Sequence, residues 1–234
     1  MPKKTVISGT VQQPPEKLEN HIFYGLVLDE EQKAFRDAIW SNEYDIVFCN
    51  ATAGCGKTTI ATGVANLLVK HGRYKGIVYI VSPCEESRQG FLPGDIVDKS
   101  SPYMEGFYQA LQTIGVNTGI ALNSDILNQK RGTGYIETCT HTFLRGINLE
   151  NRVVIVDESQ NYDLHSLKKT LTRMHDTCKV IVIGHEGQID HLHPTKSGFV
   201  KYLEHFRDKP RAAICTLTTN HRGWISSHAD SLTN

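Results

Sequence analysis

Two short strings in this chain hold the residue types that phosphate chemistry needs. The first, A-x-x-x-x-G-K-T, runs from Ala51 to Thr58 inside VFCNATAGCGKTTIA. It differs by one residue from the phosphate-gripping pattern G-x-x-x-x-G-K-[ST], because Ala51 stands where the first glycine is usual. A phosphate tail needs backbone N–H groups that close around it, and Gly54 and Gly56 let the chain bend that tightly. The helix that follows adds partial positive charge at its N-terminus. Lys57 can then reach the outer phosphates, and Thr58 can offer a hydroxyl to Mg²⁺. Ala53, Gly54, Cys55, Gly56, Lys57, Thr58 and Thr59 form the expected nucleotide-binding set. Ala51 preserves the room a glycine gives, though not a glycine-only backbone angle.

The second string, VVIVDESQN, ends a run of β-branched residues in Asp157 and Glu158. Ligands sit at the carboxyl ends of strands in open α/β sheets. Asp157 is expected to hold Mg²⁺ together with Thr58, and Glu158 to polarise the water that attacks the γ-phosphate. A glutamate beside the metal-binding aspartate suits water as acceptor, so hydrolysis is favoured over phosphoryl transfer to a hydroxyl. A third segment, VIVIGHEGQID, places Gln188 where it can hydrogen-bond the γ-phosphate or the attacking water and report cleavage. The same turn holds His185, Asp190, His191 and His193, a poor match to zinc spacing because no cysteine accompanies them.

These side chains need a sheet to carry them. A helix is expected over LDEEQKAFRDAIWS with Asp29 as cap, and short apolar strands over YDIVFCN, KGIVYIVSP, GYIETCT, NRVVIVDES, CKVIVIGH and RAAICTLT. Helices are expected over KTTIATGVANLLVKHG, SPYMEGFYQALQTIG, LHSLKKTLTRMH and GFVKYLEHF, and a terminal helix or tail over GWISSHAD. Strands alternating with helices at this spacing imply an α/β fold, a mainly parallel sheet with helices on both faces. Residues 1–20 read as a loose arm, residues 21–234 as one domain, and the polar stretch near 116–134 as a mobile insertion.

The chain has 234 residues and a formal net charge of zero, with eleven histidines and six scattered cysteines. Without net charge, nucleic acid is not drawn by the overall field and would need a local basic strip. Cysteines with no C-x-x-C pair suit reduced thiols, and no apolar run reaches membrane length. A cytoplasmic location with no membrane partner is expected.

The strings GCGKT, GFLPGDI, PYMEGFYQAL, HTFLRGINLENRVVIVDESQN, KTLTRM and GHEGQID together resemble the PhoH family of P-loop ATPases, over roughly residues 25–225. That family is itself similar to the nucleotide-binding core of superfamily-one helicases. The resemblance implies a three-layer, RecA-like P-loop NTPase using ATP and Mg²⁺. It also implies that Gln32 reads the adenine edge, and that Arg222, in TTNHRG, is an arginine finger. Two departures stand out. His185 occupies a position where the family usually has aspartate, and SPCEESR replaces a usual Arg-Pro, leaving Arg88 as the nearest arginine.

The chain is long enough for one such lobe with insertions, whereas translocation on a strand uses two. The expectation is therefore a homo-oligomer, a hexameric ring being the form considered, with Arg222 or another arginine donated across the interface. The function expected is ATP hydrolysis coupled to binding or unwinding single-stranded RNA or DNA, with Lys130, Arg131, Lys168, Lys169 and Arg173 as strand-path candidates. The aromatics of PYMEGFYQ at helical spacing belong more naturally to a core than to base stacking. The alternative is a nucleotide-switched protein-binding module without processive activity.

Overall fold

The computed structural model describes residues 14–82, 96–123, 126–144, 146–189 and 196–230. Its centre is a six-stranded sheet in which every pairing is parallel. The strands are β1 (Ile46–Ala51), β2 (Ile77–Val81), β3 (Ile136–Thr140), β4 (Val153–Asp157), β5 (Lys179–Gly184) and β6 (Ala212–Leu217), in the order β3-β2-β4-β5-β1-β6. The helices are α1 (Glu30–Trp40), α2 (Lys57–Lys70), α3 (Ile96–Thr113), α4 (Thr118–Ala121), α5 (Ile126–Arg131), α6 (Leu164–Leu171), α7 (Phe199–Phe206) and α8 (Trp224–Asp230).

Three layers follow from the two-residue alternation of side chains along a strand. Val47, Cys49, Val153, Ile155, Ile181 and Ile183 pack into one core with residues of α1, α2 and α3. Their sequence neighbours Phe48, Val154, Val156, Val180 and Val182 pack into a second core with Leu167 of α6 and Phe199 and Leu203 of α7. Strands buried on both faces need continuous apolar runs, as these sequences supply. Phe107 of α3 is fully buried and stacks on Tyr79 of β2 with centroids 4.1 Å apart. That ring belongs to the core, as its spacing implies.

Three expectations change. Residues 14–20 are not a loose arm: Leu18 is buried in the core, and the Trp40 indole donates to Pro15 O at 2.9 Å. The stretch 116–134 is not an unstructured loop, because it carries α4 and α5. Buried Asn128 ties it together by donating to Gly119 O at 2.8 Å and Leu122 O at 3.0 Å. The third helix begins at Ile96, five residues before the start expected at Ser101, and runs through Pro102. Cys84, Arg88, Asp190, His191 and His193, with most of GFLPGDI, lie outside the described residues. Among the described residues, no helix is long and apolar enough to cross a membrane.

Candidate nucleotide site

β1 ends at Ala51, α2 begins at Lys57, and the turn between them is the glycine loop. Ala51 is buried in strand conformation and pairs with Leu217, so the position requires no positive φ. The residues that do bend the loop are Gly54 at φ 72° and Gly56 at φ 81°, both in the left-handed region that favours glycine. No side chain caps the start of α2, which leaves its first N–H groups for an anion. A cavity of about 250 Å³ opens here, lined by the loop from Gly54 to Thr59, one face of α3, and Arg222.

The acids arrive from β4. The Thr58 hydroxyl donates to Asp157 Oδ2 at 2.9 Å, although the two residues are 99 positions apart. The Tyr79 hydroxyl donates to the same oxygen at 2.8 Å, and the Glu158 N–H donates to Oδ1 at 2.7 Å. Asp157 is therefore buried with its carboxylate fixed from three sides. Burial acts to lower the Lys57 pKa, but Asp157 and Glu158 outweigh it and hold the ammonium above its ordinary value. The lysine stays charged, as phosphate binding needs. A hydroxyl and a carboxylate with no nitrogen or sulfur donor suit a hard cation, so Thr58 and Asp157 fit Mg²⁺. Among the described residues no group of three His, Cys, Asp or Glu could hold a metal by itself.

Glu158 sits in the left-handed region at φ 50°, ψ 40°. Its carboxylate accepts from Gln160 Nε2 at 2.6 Å, and Gln160 Oε1 accepts the His185 N–H at 3.1 Å. Buried Gln160 thus braces the end of β4 against the turn after β5. That turn is closed by the Gln188 N–H on His185 O at 3.0 Å and anchored to β1 by the Glu186 N–H on Asn50 Oδ1 at 3.2 Å. The His185 Nδ1 is buried with no hydrogen-bond partner among the described residues. Since β5 lies between β4 and β1, Gln188 emerges between the acids and the loop.

Two expected roles take a different geometry. Gln32 is buried beneath the loop, donating through Nε2 to Cys55 O at 2.8 Å and accepting the Asp29 N–H through Oε1 at 3.1 Å. Its amide supports the loop backbone. Arg222 was expected across a subunit interface, yet it lines its own chain's cavity, with Cγ 2.9 Å from where a Cβ on Gly54 would stand. The His221 N–H donates to Gly54 O at 3.0 Å, and the side-chain Oδ1 of Asn220 accepts the Arg222 N–H at 2.8 Å, which fixes this segment on the loop. Tyr79, Gln160 and Asn50 escape a reading of the sequence. The D-E-x-Q spacing was the available signal for Gln160, whereas Tyr79 is hidden in an apolar strand.

Fold and site together define an ATPase-type P-loop protein. The family model for PhoH, described as PhoH-like protein, matches residues 27–222, and the chain belongs to that family. A PhoH-like protein of Bacillus subtilis (strain 168) is 35% identical over 66% of this chain and 46% of its own length. One from Mycobacterium leprae (strain TN) is 30% identical over 86% of this chain and 56% of its own. The chain thus spans about half the length of the curated relatives it matches. Among solved structures, the Hef helicase domain of Pyrococcus furiosus aligns with 81% of this chain and 38% of its own, at 14% identity and a TM-score of 0.46.

Proposed function

We propose that this chain binds ATP with Mg²⁺, hydrolyses it, and couples hydrolysis to single-stranded RNA or DNA. The observation that carries the reading is the Thr58–Asp157 hydrogen bond, which joins the glycine loop to the acidic end of β4. The loop amides and the open start of α2 receive the phosphates, and Lys57 neutralises their outer oxygens. Mg²⁺, held by Thr58 and Asp157, would supply further charge neutralisation on the phosphate oxygens. Glu158, braced by Gln160, accepts the proton of the attacking water. Gln188 senses the terminal phosphate, and Arg222 meets phosphate charge from within the same chain. Work on a strand needs a second lobe, which a ring of copies would provide.

Steady-state ATP hydrolysis with and without single-stranded RNA or DNA tests this. The strand is expected to raise the rate, and Glu158→Gln to lower kcat by about 10²- to 10⁴-fold. Lys57→Ala is expected to lose nucleotide affinity. A Glu158→Gln protein as fast as the parent would sink the catalytic assignment. Hydrolysis indifferent to any strand would favour the nucleotide-switched binding module. Light scattering with ATP reads the ring, and a monomer under all conditions overturns it.

A further inference from the structure

We propose that single-stranded nucleic acid lies in a groove between the His141–Leu144 turn and α6, its phosphates on Lys169 and Arg173. The inference rests on the proposed coupling to nucleic acid and names its path. The groove measures about 700 Å³ and is lined by His141, Thr142, Leu144, Ser166, Lys169 and Arg173. Among the described residues its lining contains two cations and no carboxylate. Neither Lys169 nor Arg173 forms an ion pair among the described residues, whereas Lys33, Arg36, Arg152 and Arg211 each do. The nearby acid, Asp163, is engaged in capping α6, where it accepts the Ser166 N–H at 2.6 Å. In a chain of zero net charge, unpaired cations clustered in a groove are what can hold a polyanion.

The chemistry of the lining suits a sugar-phosphate backbone. The Thr142 hydroxyl is a neutral donor of the kind that accompanies Lys and Arg on phosphates. Phe143, in the same turn, is 47% exposed and offers a face on which a base can stack. Location adds a second argument. The turn begins directly after β3, and the end of β3 is separated from the end of β4, which carries the acids, by β2 alone, two strand spacings or about 10 Å along the same sheet edge. Strand and nucleotide can then be held together without overlap. The His141 ring packs on Tyr162 with centroids 5.0 Å apart, and Tyr162 directly follows the buried Ser159–Asn161 turn that leaves Glu158. His141 thus links the groove, through Tyr162, to the segment that carries the catalytic glutamate.

Fluorescence anisotropy with fluorescein-labelled oligouridylate and oligothymidylate of equal length, titrated over a salt series, decides the matter. The parent is compared with Lys169→Glu/Arg173→Glu, with the charge-preserving Lys169→Arg/Arg173→Lys, and with Lys75→Glu/Lys209→Glu at the opposite, amino edge of the sheet. Reversal in the groove is expected to weaken binding at least about tenfold and to lower the salt slope by about 1.4, two single-strand phosphate contacts. The charge-preserving pair and the amino-edge pair are expected to bind like the parent. Loss with either the RNA or the DNA probe supports the groove for that strand. Groove-reversed protein that binds like the parent overturns the groove alone, as does equal loss in the amino-edge pair. A parent that binds neither probe overturns the coupling to nucleic acid and the groove with it.

Discussion

At the scale of single residues, Glu158 is held in a backbone conformation that costs an L-residue on the order of 1–3 kcal/mol. The surrounding structure over-determines it. Gln160 grips the carboxylate at 2.6 Å, and Gly184 leaves no room for a larger residue, since a Cβ there would stand 2.9 Å from Gln160 Oε1. In the proposed hydrolysis Gln160 is therefore the residue that positions Glu158 as base. Gln160→Ala and Gly184→Ala are both expected to lower kcat for ATP by about 10- to 100-fold with little change in KM, because a displaced base harms turnover more than binding. Unchanged kcat in both variants would show that Glu158 needs no brace. The two substitutions disturb the same contact from opposite sides, so a shared kcat-specific defect separates positioning from simple destabilisation.

At the scale of elements, α1 serves the loop through its first turn. Asp29 and Gln32 form a reciprocal capping box, and Gln32 passes the constraint on to Cys55 O. Asp29→Ala is expected to cost about 1 kcal/mol and to lower Tm by about 2–4 °C, read by calorimetry. Burial is the largest single influence and opposes the Asp29 charge, but the Gln32 N–H, His221 and the Glu31 N–H together outweigh it and depress its pKa. A depressed carboxyl contributes stability above its unfolded pKa and loses it as pH falls through the folded one, so the gap between parent and Asp29→Ala should close in acid. Gln32→Ala is expected to weaken ATP and GTP binding alike, measured by calorimetric titration, because its amide holds loop backbone. A loss confined to ATP would instead return Gln32 to the adenine edge.

At the scale of the whole molecule, the sheet separates two ends. The carboxyl edge gathers the loop, the acids, the Gln188 turn and the basic groove. The amino edge is structural, and its most unusual group is Lys179, buried at the start of β5 and donating to Ser41 O at 2.7 Å and to Tyr44 O. Burial pushes its pKa down to about 8 from the usual 10.5. Between those values the unfolded chain holds more protons than the folded one, so this group makes stability rise with pH across that window. Lys179→Met should remove that rise, seen as a parent-minus-variant stability difference that grows from pH 8 to 10.5 in chemical denaturation. A difference independent of pH would show that the amine does not titrate there.

The parts legible in the sequence were those set by local covalent geometry and side-chain periodicity. Gly54 and Gly56 declare a left-handed bend because other residues pay for positive φ, and Ala51 is tolerated because its position lies within a strand. Continuous apolar runs declare strands buried on both faces, and Asp29 declares a cap. Asp157 and Glu158 were legible because a strand that ends in acids presents them at its carboxyl edge. What only the tertiary structure decided depends on which distant segments meet. Strand order brings Thr58 to Asp157, slots β5 between the acids and the loop, and sets Tyr79 against the Asp157 carboxylate. Packing turns Gln32 beneath the loop and Arg222 onto its own chain's cavity, and it leaves Lys169 and Arg173 facing one groove. No local pattern encodes those meetings, because long-range hydrogen bonds and burial choose among the partners that local geometry leaves open.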